Sequence, residues 1–114
     1  MKENDLKDRL FKFSVDVLKM LGSFKSGKET DVIKFQLSKS ATSAGANYEE
    51  SQAAVSKADF TNKVGISLKE MRESNYWLRI IKNICPETEN ISYLVGESEE
   101  LGKILASIII KSRS

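Results

Sequence analysis

Between Gln36 and Glu50 the chain reads QLSKSATSAGANYEE, and this stretch limits the possible folds more than any other. Residues three and four apart share one face of a helix. On that spacing Ile33, Leu37, Ala41, Ala44 and Tyr48 make an apolar stripe, with a polar stripe of Gln36, Ser40, Ser43, Asn47 and Glu50 beside it. The outer face is Ser, Thr, Gly and Ala, including Ala46, where an ordinary amphipathic helix carries Lys and Glu. Such a face suits a helix approached closely from two sides, once by its own bundle and once by another chain. Propensity alone reads SATSAGAN as a loop, because an interior Gly costs about 1 kcal/mol against Ala. The unbroken spacing from Ile33 to Tyr48 decides for the helix, since packing of a face outweighs propensity.

Three further helices follow from the same rule. The first runs from about Asn4 to Leu21 on Leu6, Leu10, Phe13, Val17 and Met20, with Phe11 and Leu18 widening the stripe. Gly22, Gly27 and the polar segment from Ser23 to Lys28 end it. The second starts near Thr30 or Asp31, either able to cap exposed amides, and ends near Val55. Ser56 and Asp59 read as a capping box for the third, which continues to Ile84 because Pro86 forbids a clean helix beyond. Its core face is Phe60, Val64, Leu68, Met71 and Leu78; a second stripe is Ile66, Glu70, Glu73, Trp77 and Ile80. The fourth follows Pro86 to Asn90 and ends near Lys111, with Ile91, Leu94, Leu101, Leu105 and Ile108 inward.

Long helices on short connections predict an all-α, antiparallel up-down-up-down four-helix bundle, with residues 1–114 as a single domain. A lone bundle needs one buried stripe per helix. The surplus stripes on helices two and three predict a homo-oligomer.

Composition narrows the chemistry. The chain has no His, which removes the commonest general base and metal ligand, and one cysteine, Cys85, which excludes an intrachain disulfide. No aliphatic run is long enough to cross a membrane, and a cytoplasmic location is expected. Lys and Arg exceed Asp and Glu by 18 to 16, a net charge of +2, well short of the excess usual in nucleic-acid binders.

Glu70 and Glu73, with Glu50 nearby, are the nearest approach to a catalytic constellation. Without His they do not fit a di-iron site. They read as structural carboxylates paired with Arg72, Arg79 or Asn47. Gln36 and Asn47 have the chemistry to read a base, and Tyr76 and Trp77 to stack on one. Helix contact explains all four more simply. Lys25, Lys28, Lys34, Lys39, Lys111 and Arg113 are individually solubilising charges; repeated round a ring they would make a positive rim for phosphate. Cys85 reads as a small buried hydrophobe.

QLSKSATSAGANYEESQAA, followed by SKADFTNKVGISLKEMRESNYWLRII, resembles the bacterial four-helix bundle protein family. Its members include proteins encoded in intervening sequences of 23S rRNA genes. It is also similar to the accessory variability proteins of diversity-generating retroelements. The resemblance is most specific from Val32 to Ile81. There Gln36, Ser43, Ala46, Asn47, Glu50, Phe60, Leu68, Glu70, Glu73, Tyr76 and Leu78 fall on the family's pattern. Gly45 departs from it, where many members have Pro. The resemblance implies a homopentamer, and relatives that bind nucleic acid and a reverse transcriptase. The expected function is thus that of a non-enzymatic accessory protein with weak electrostatic binding of RNA or DNA and no cofactor. The alternative is a protein-interaction scaffold that touches no nucleic acid. An enzyme built on an unrecognised carboxylate site is the third reading; no phosphate loop or nucleophile motif supports it.

Overall fold

The computed structural model describes residues 3–113, with side chains from Asp5 onward. These residues form four helices and no strand: α1 (Glu3–Leu21), α2 (Lys28–Ser51), α3 (Lys57–Ile84) and α4 (Ile91–Arg113). The small-residue stretch is helical throughout. One core takes Leu10, Phe13 and Val17 from α1, Leu37, Ala41 and Tyr48 from α2, Val64, Met71 and Leu78 from α3, and Leu94, Leu101 and Leu105 from α4. Each large side chain buried there contributes about 1.5 to 3 kcal/mol.

Phe11 and Leu18 do not widen the α1 stripe; they are 64% and 46% exposed. Phe11 lies two residues from Phe13, about 160° round the helix, so it faces away from the core.

Polar links between helices follow a regular pairing. Ser14 Oγ of α1 donates to the Ala41 carbonyl of α2 at 3.0 Å, and Lys34 Nζ of α2 donates to the Phe24 carbonyl just past α1 at 2.7 Å. Between α2 and α3, Ser40 pairs with Ser74, Ser67 with Ala44, and Lys63 with Glu50. Between α3 and α4, Asn75 pairs with Ser98 and Thr61 with Ser112. In each pair of helices, rising numbers on one meet falling numbers on the next.

Arg9 clasps α1 to α4. Its Nη2 and Nε donate to the two carboxylate oxygens of Glu97 at 2.6 and 3.0 Å, and Nη1 reaches Glu100 at 3.1 Å. The hydrogen bond to Glu97 holds the guanidinium pKa above its ordinary value. Glu97 and Glu100 of α4 thus serve the contact with α1.

The ends of α2 differ from expectation. The helix begins at Lys28 with Gly27 as cap, and no side chain caps it. Thr30 and Asp31 sit inside the first turn. Thr30 Oγ1 donates back to the Lys25 and Gly27 carbonyls, while Asp31 Oδ1 accepts from the Gly27 amide. The helix stops at Ser51 rather than near Val55, and short bonds from Gln52 to Glu49 and from Ala53 to Glu50 tighten its last turn. The cause lies downstream. Ser56 must be extended, at φ −156° and ψ 165°, for its side chain to accept from the Asp59 amide and start α3. Val55 is left 93% exposed in the connection.

Asn90, at φ 67°, ends the connection from Cys85 to α4. Asn tolerates this left-handed conformation better than most residues that carry a Cβ.

Candidate assembly face and nucleic-acid interface

The middle of α2 is approached from two sides, and both neighbours belong to its own chain. On one side α1 comes so close that a Cβ added at Gly45 would lie 3.5 Å from Ser14 Oγ and 3.6 Å from the Leu10 carbonyl oxygen. On the other, Ser67 Oγ donates to the Ala44 carbonyl at 2.7 Å, and the buried Ser40 and Ser74 hydroxyls meet at 2.8 Å. Small side chains are what let hydroxyls reach main-chain carbonyls between packed helices. Ala46 takes no part, being exposed. Its small size therefore does not serve contacts within the protomer.

The polar stripe of α2 lies toward α3. Gln36, Ser43 and Asn47 are half-buried and Glu50 is exposed. Asn47 Nδ2 donates to the carbonyl and hydroxyl of Ser43 on its own helix, and Glu50 pairs with Lys63 at 3.7 Å. Glu70 and Glu73 on α3 are also half-buried, and among the described residues neither pairs with Arg72, Arg79 or Asn47. Glu73 accepts from Trp77 Nε1 at 3.2 Å, while Glu70 joins no ion pair among the described residues. Arg72 and Arg79 line the opposite edge of α3, against α4. Two residues along a helix turn the side chain well away, so Arg72 cannot meet Glu70. Among the described residues no group of three His, Cys, Asp or Glu side chains could hold a metal ion.

Around these carboxylates several apolar side chains of α2 and α3 are exposed. Val32 is 57% exposed, Ile66 36% and Ile84 54%; Trp77 and Ile80 are half-buried against the core. Tyr76, 50% exposed, packs edge-on against Trp77 with ring centroids 5.1 Å apart.

The six basic residues singled out in the sequence do not come together. Lys25 and Lys28 are exposed beside the start of α2, where Lys25 shares a depression with Cys85 and Glu87 beyond the end of α3. Lys34 is engaged by the Phe24 carbonyl. Lys111 and Arg113 flank Ser112, which bonds Thr61 near the start of α3. Thr61 and Cys85 are about 36 Å apart along that helix. Lys39 is exposed on α2 between the two groups. Cys85 itself is half-buried as the cap residue of α3 rather than fully enclosed.

A different cluster escaped the sequence reading. Arg72, Asn75 and Arg79 of α3 and Ser98, Glu99 and Lys103 of α4 line a groove of 380 Å³. Arg72 and Arg79 are seven residues apart, two turns on one face, and that spacing is the signal that would have found them.

These features define a small all-α protein of four packed helices with exposed apolar side chains on α2 and α3 and a basic groove. No described helix is long and apolar enough to cross a membrane. Residues 2–107 match the family described as 23S rRNA-intervening sequence protein, and the chain belongs to that family. It is 35% identical to a Bacteroides thetaiotaomicron VPI-5482 protein of unknown function, from the S23 ribosomal protein family, whose crystal structure matches with a TM-score of 0.84 over 96% of this chain and 98% of that one. No curated protein matches the chain.

Proposed function

We propose that this chain is a non-enzymatic accessory protein that works as a homo-oligomer, a pentamer by family resemblance, and binds RNA or DNA weakly through repeated cations. The band of exposed apolar side chains on α2 and α3, Val32, Ile66 and Ile84 beside Trp77 and Ile80, carries this reading. A second copy covering that band would remove apolar surface from water, worth about 25 cal/mol per Å². It would also enclose Glu70, Glu73, Gln36 and Asn47 at the contact. The rising-against-falling pairings of successive helices support the antiparallel up-down-up-down order within one domain.

Assembly matters to function because one chain carries only +2. Five copies carry about +10, enough to draw phosphate at low salt. The non-catalytic reading rests on the missing His and on a lone Cys85 placed at a helix end. A cytoplasmic location and a further protein partner, a reverse transcriptase among the candidates, belong to the same proposal by resemblance. Labelled RNA titrated with the purified protein in dilute buffer and again near physiological salt tests it. Binding that weakens steeply with salt is expected. No binding in dilute buffer would make the protein an interaction scaffold instead.

A further inference from the structure

The groove between α3 and α4 gathers cations that the protein's own contacts leave unused. Arg72 and Arg79 stand about 10 Å apart along α3, and Lys103 lines the same groove from α4. All three are exposed, and none is in an ion pair among the described residues. Glu99 is the acid on the wall, so the cations outweigh it. The floor is kept low: a Cβ added at Gly102 would meet nothing within 4 Å.

Arg79 is held in place from below. Its Nε donates to Asn75 Oδ1 at 2.9 Å, Asn75 Nδ2 donates to Ser98 Oγ at 2.9 Å, and the buried Ser98 donates to the Val95 carbonyl at 2.8 Å. This chain fixes the guanidinium and leaves both its terminal amino groups for a ligand. A fixed planar fork matches the oxygens of a phosphate. Beside Arg79 stands Tyr76, 50% exposed, with its ring centroid 5.8 Å from the guanidinium. A positive groove running onto an exposed aromatic ring takes single-stranded nucleic acid, with backbone on the cations and a base on the ring. An acidic peptide would satisfy the cations and leave Tyr76 unused.

We propose that the α3–α4 groove is where a single-stranded RNA or DNA segment lays its phosphodiester backbone, phosphates on Arg72, Lys103 and Arg79 and one base on Tyr76. This inference rests on the nucleic-acid reading above and gives it a site other than the Lys25 and Lys28 loop.

Fluorescence anisotropy with a labelled single-stranded RNA, and with DNA of the same sequence, tests it at several salt concentrations. The variants are Arg72→Gln/Arg79→Gln, Lys103→Gln, Tyr76→Ala and, for comparison, Lys25→Glu/Lys28→Glu, each checked by circular dichroism and light scattering. The double arginine variant should bind about ten-fold more weakly. Its slope of log affinity against log salt should flatten by about 1.4, since each single-strand phosphate contact contributes about 0.7. Lys103→Gln should flatten the slope by about half as much; having no bonded partner among the described residues, it keeps the test valid if the double variant melts. Tyr76→Ala should weaken binding several-fold with an unchanged slope. Loss with both RNA and DNA supports phosphodiester recognition; loss with RNA alone supports it with the 2′-hydroxyl read as well. If wild type binds and the groove variants bind equally with the same slope, the groove is overturned while the nucleic-acid reading stands. If wild type does not bind, both fall. Tighter arginine-dependent binding of a polyglutamate peptide than of RNA would also overturn the assignment.

Discussion

Ser67 Oγ donates a 2.7 Å hydrogen bond to the carbonyl of Ala44, a group already inside the α2 helix. Three residues earlier on the same helix, the Ala41 carbonyl accepts from Ser14 of α1. The two bonds hold the small-residue segment between α1 and α3, and they account for its inward residues Ser40, Ala41, Ala44 and Gly45 without a second chain. Closeness has to be relieved somewhere, and it is relieved by Ser, Ala and Gly in place of larger side chains.

Because the Ala44 carbonyl sits within a helix, Ser67→Ala should cost only about 0.5 to 1.5 kcal/mol, the net worth of one hydrogen bond. Ser67→Leu overfills the same contact and should cost about 1 to 3 kcal/mol. Thermal melting separates the two; equal losses would mean that the hydroxyl, rather than its size, sets the spacing.

Gly45 offers a substitution of opposite sign. An added methyl would sit at ordinary contact distance from Ser14 and Leu10. Gly45→Ala should therefore stabilise α2 by about 0.5 to 1 kcal/mol through propensity. A lowered melting temperature would show that α1 packs against this position more tightly than ordinary contact.

The Arg9 clasp should show in both stability and pH dependence. Arg9 and Glu97 side chains are 26% and 12% exposed, so partial screening applies, and Arg9→Gln should cost about 1 to 2 kcal/mol. Glu97 raises the Arg9 pKa, so on the alkaline side this contribution is in place up to the ordinary arginine range and is lost as pH rises through the raised value. The melting difference between wild type and variant should thus be the same at about pH 7 and pH 10. A difference that vanishes by the upper value would contradict the clasp.

Asn90 gives the fourth prediction. At φ 67° a β-branched side chain is strained, and Asn90→Val should cost about 1 to 2 kcal/mol, while Asn90→Gly should be close to neutral. Chemical denaturation of the two variants checks the order.

What the sequence disclosed was what local spacing controls. The α1 stripe, the Ser56–Asp59 cap and the helical reading of SATSAGAN each depend on residues three or four apart. Facts that depend on which helix stands beside which were hidden. Phe11 and Leu18 read as core until α2 and α4 take their places around α1. Arg72 and Arg79 read as partners for Glu70 and Glu73 because they are near in sequence, yet they occupy the other edge of α3. The six lysines and arginines first chosen were picked by sequence position, and Lys25 lies near the end of α3 whereas Lys111 and Arg113 lie near its start. The early stop of α2 was masked because its cause is the extended backbone that Ser56 needs for the next helix.

Assembly through the outward face of α2 and α3 is the step on which the proposed function turns. Light scattering of the purified protein at micromolar concentration measures this directly. The expected mass is five times the 12.8 kDa of one chain. Ile66→Lys, which places a charge on that face, should return the protein to 12.8 kDa with its helical content intact. A wild-type protein that is monomeric at that concentration would contradict the account.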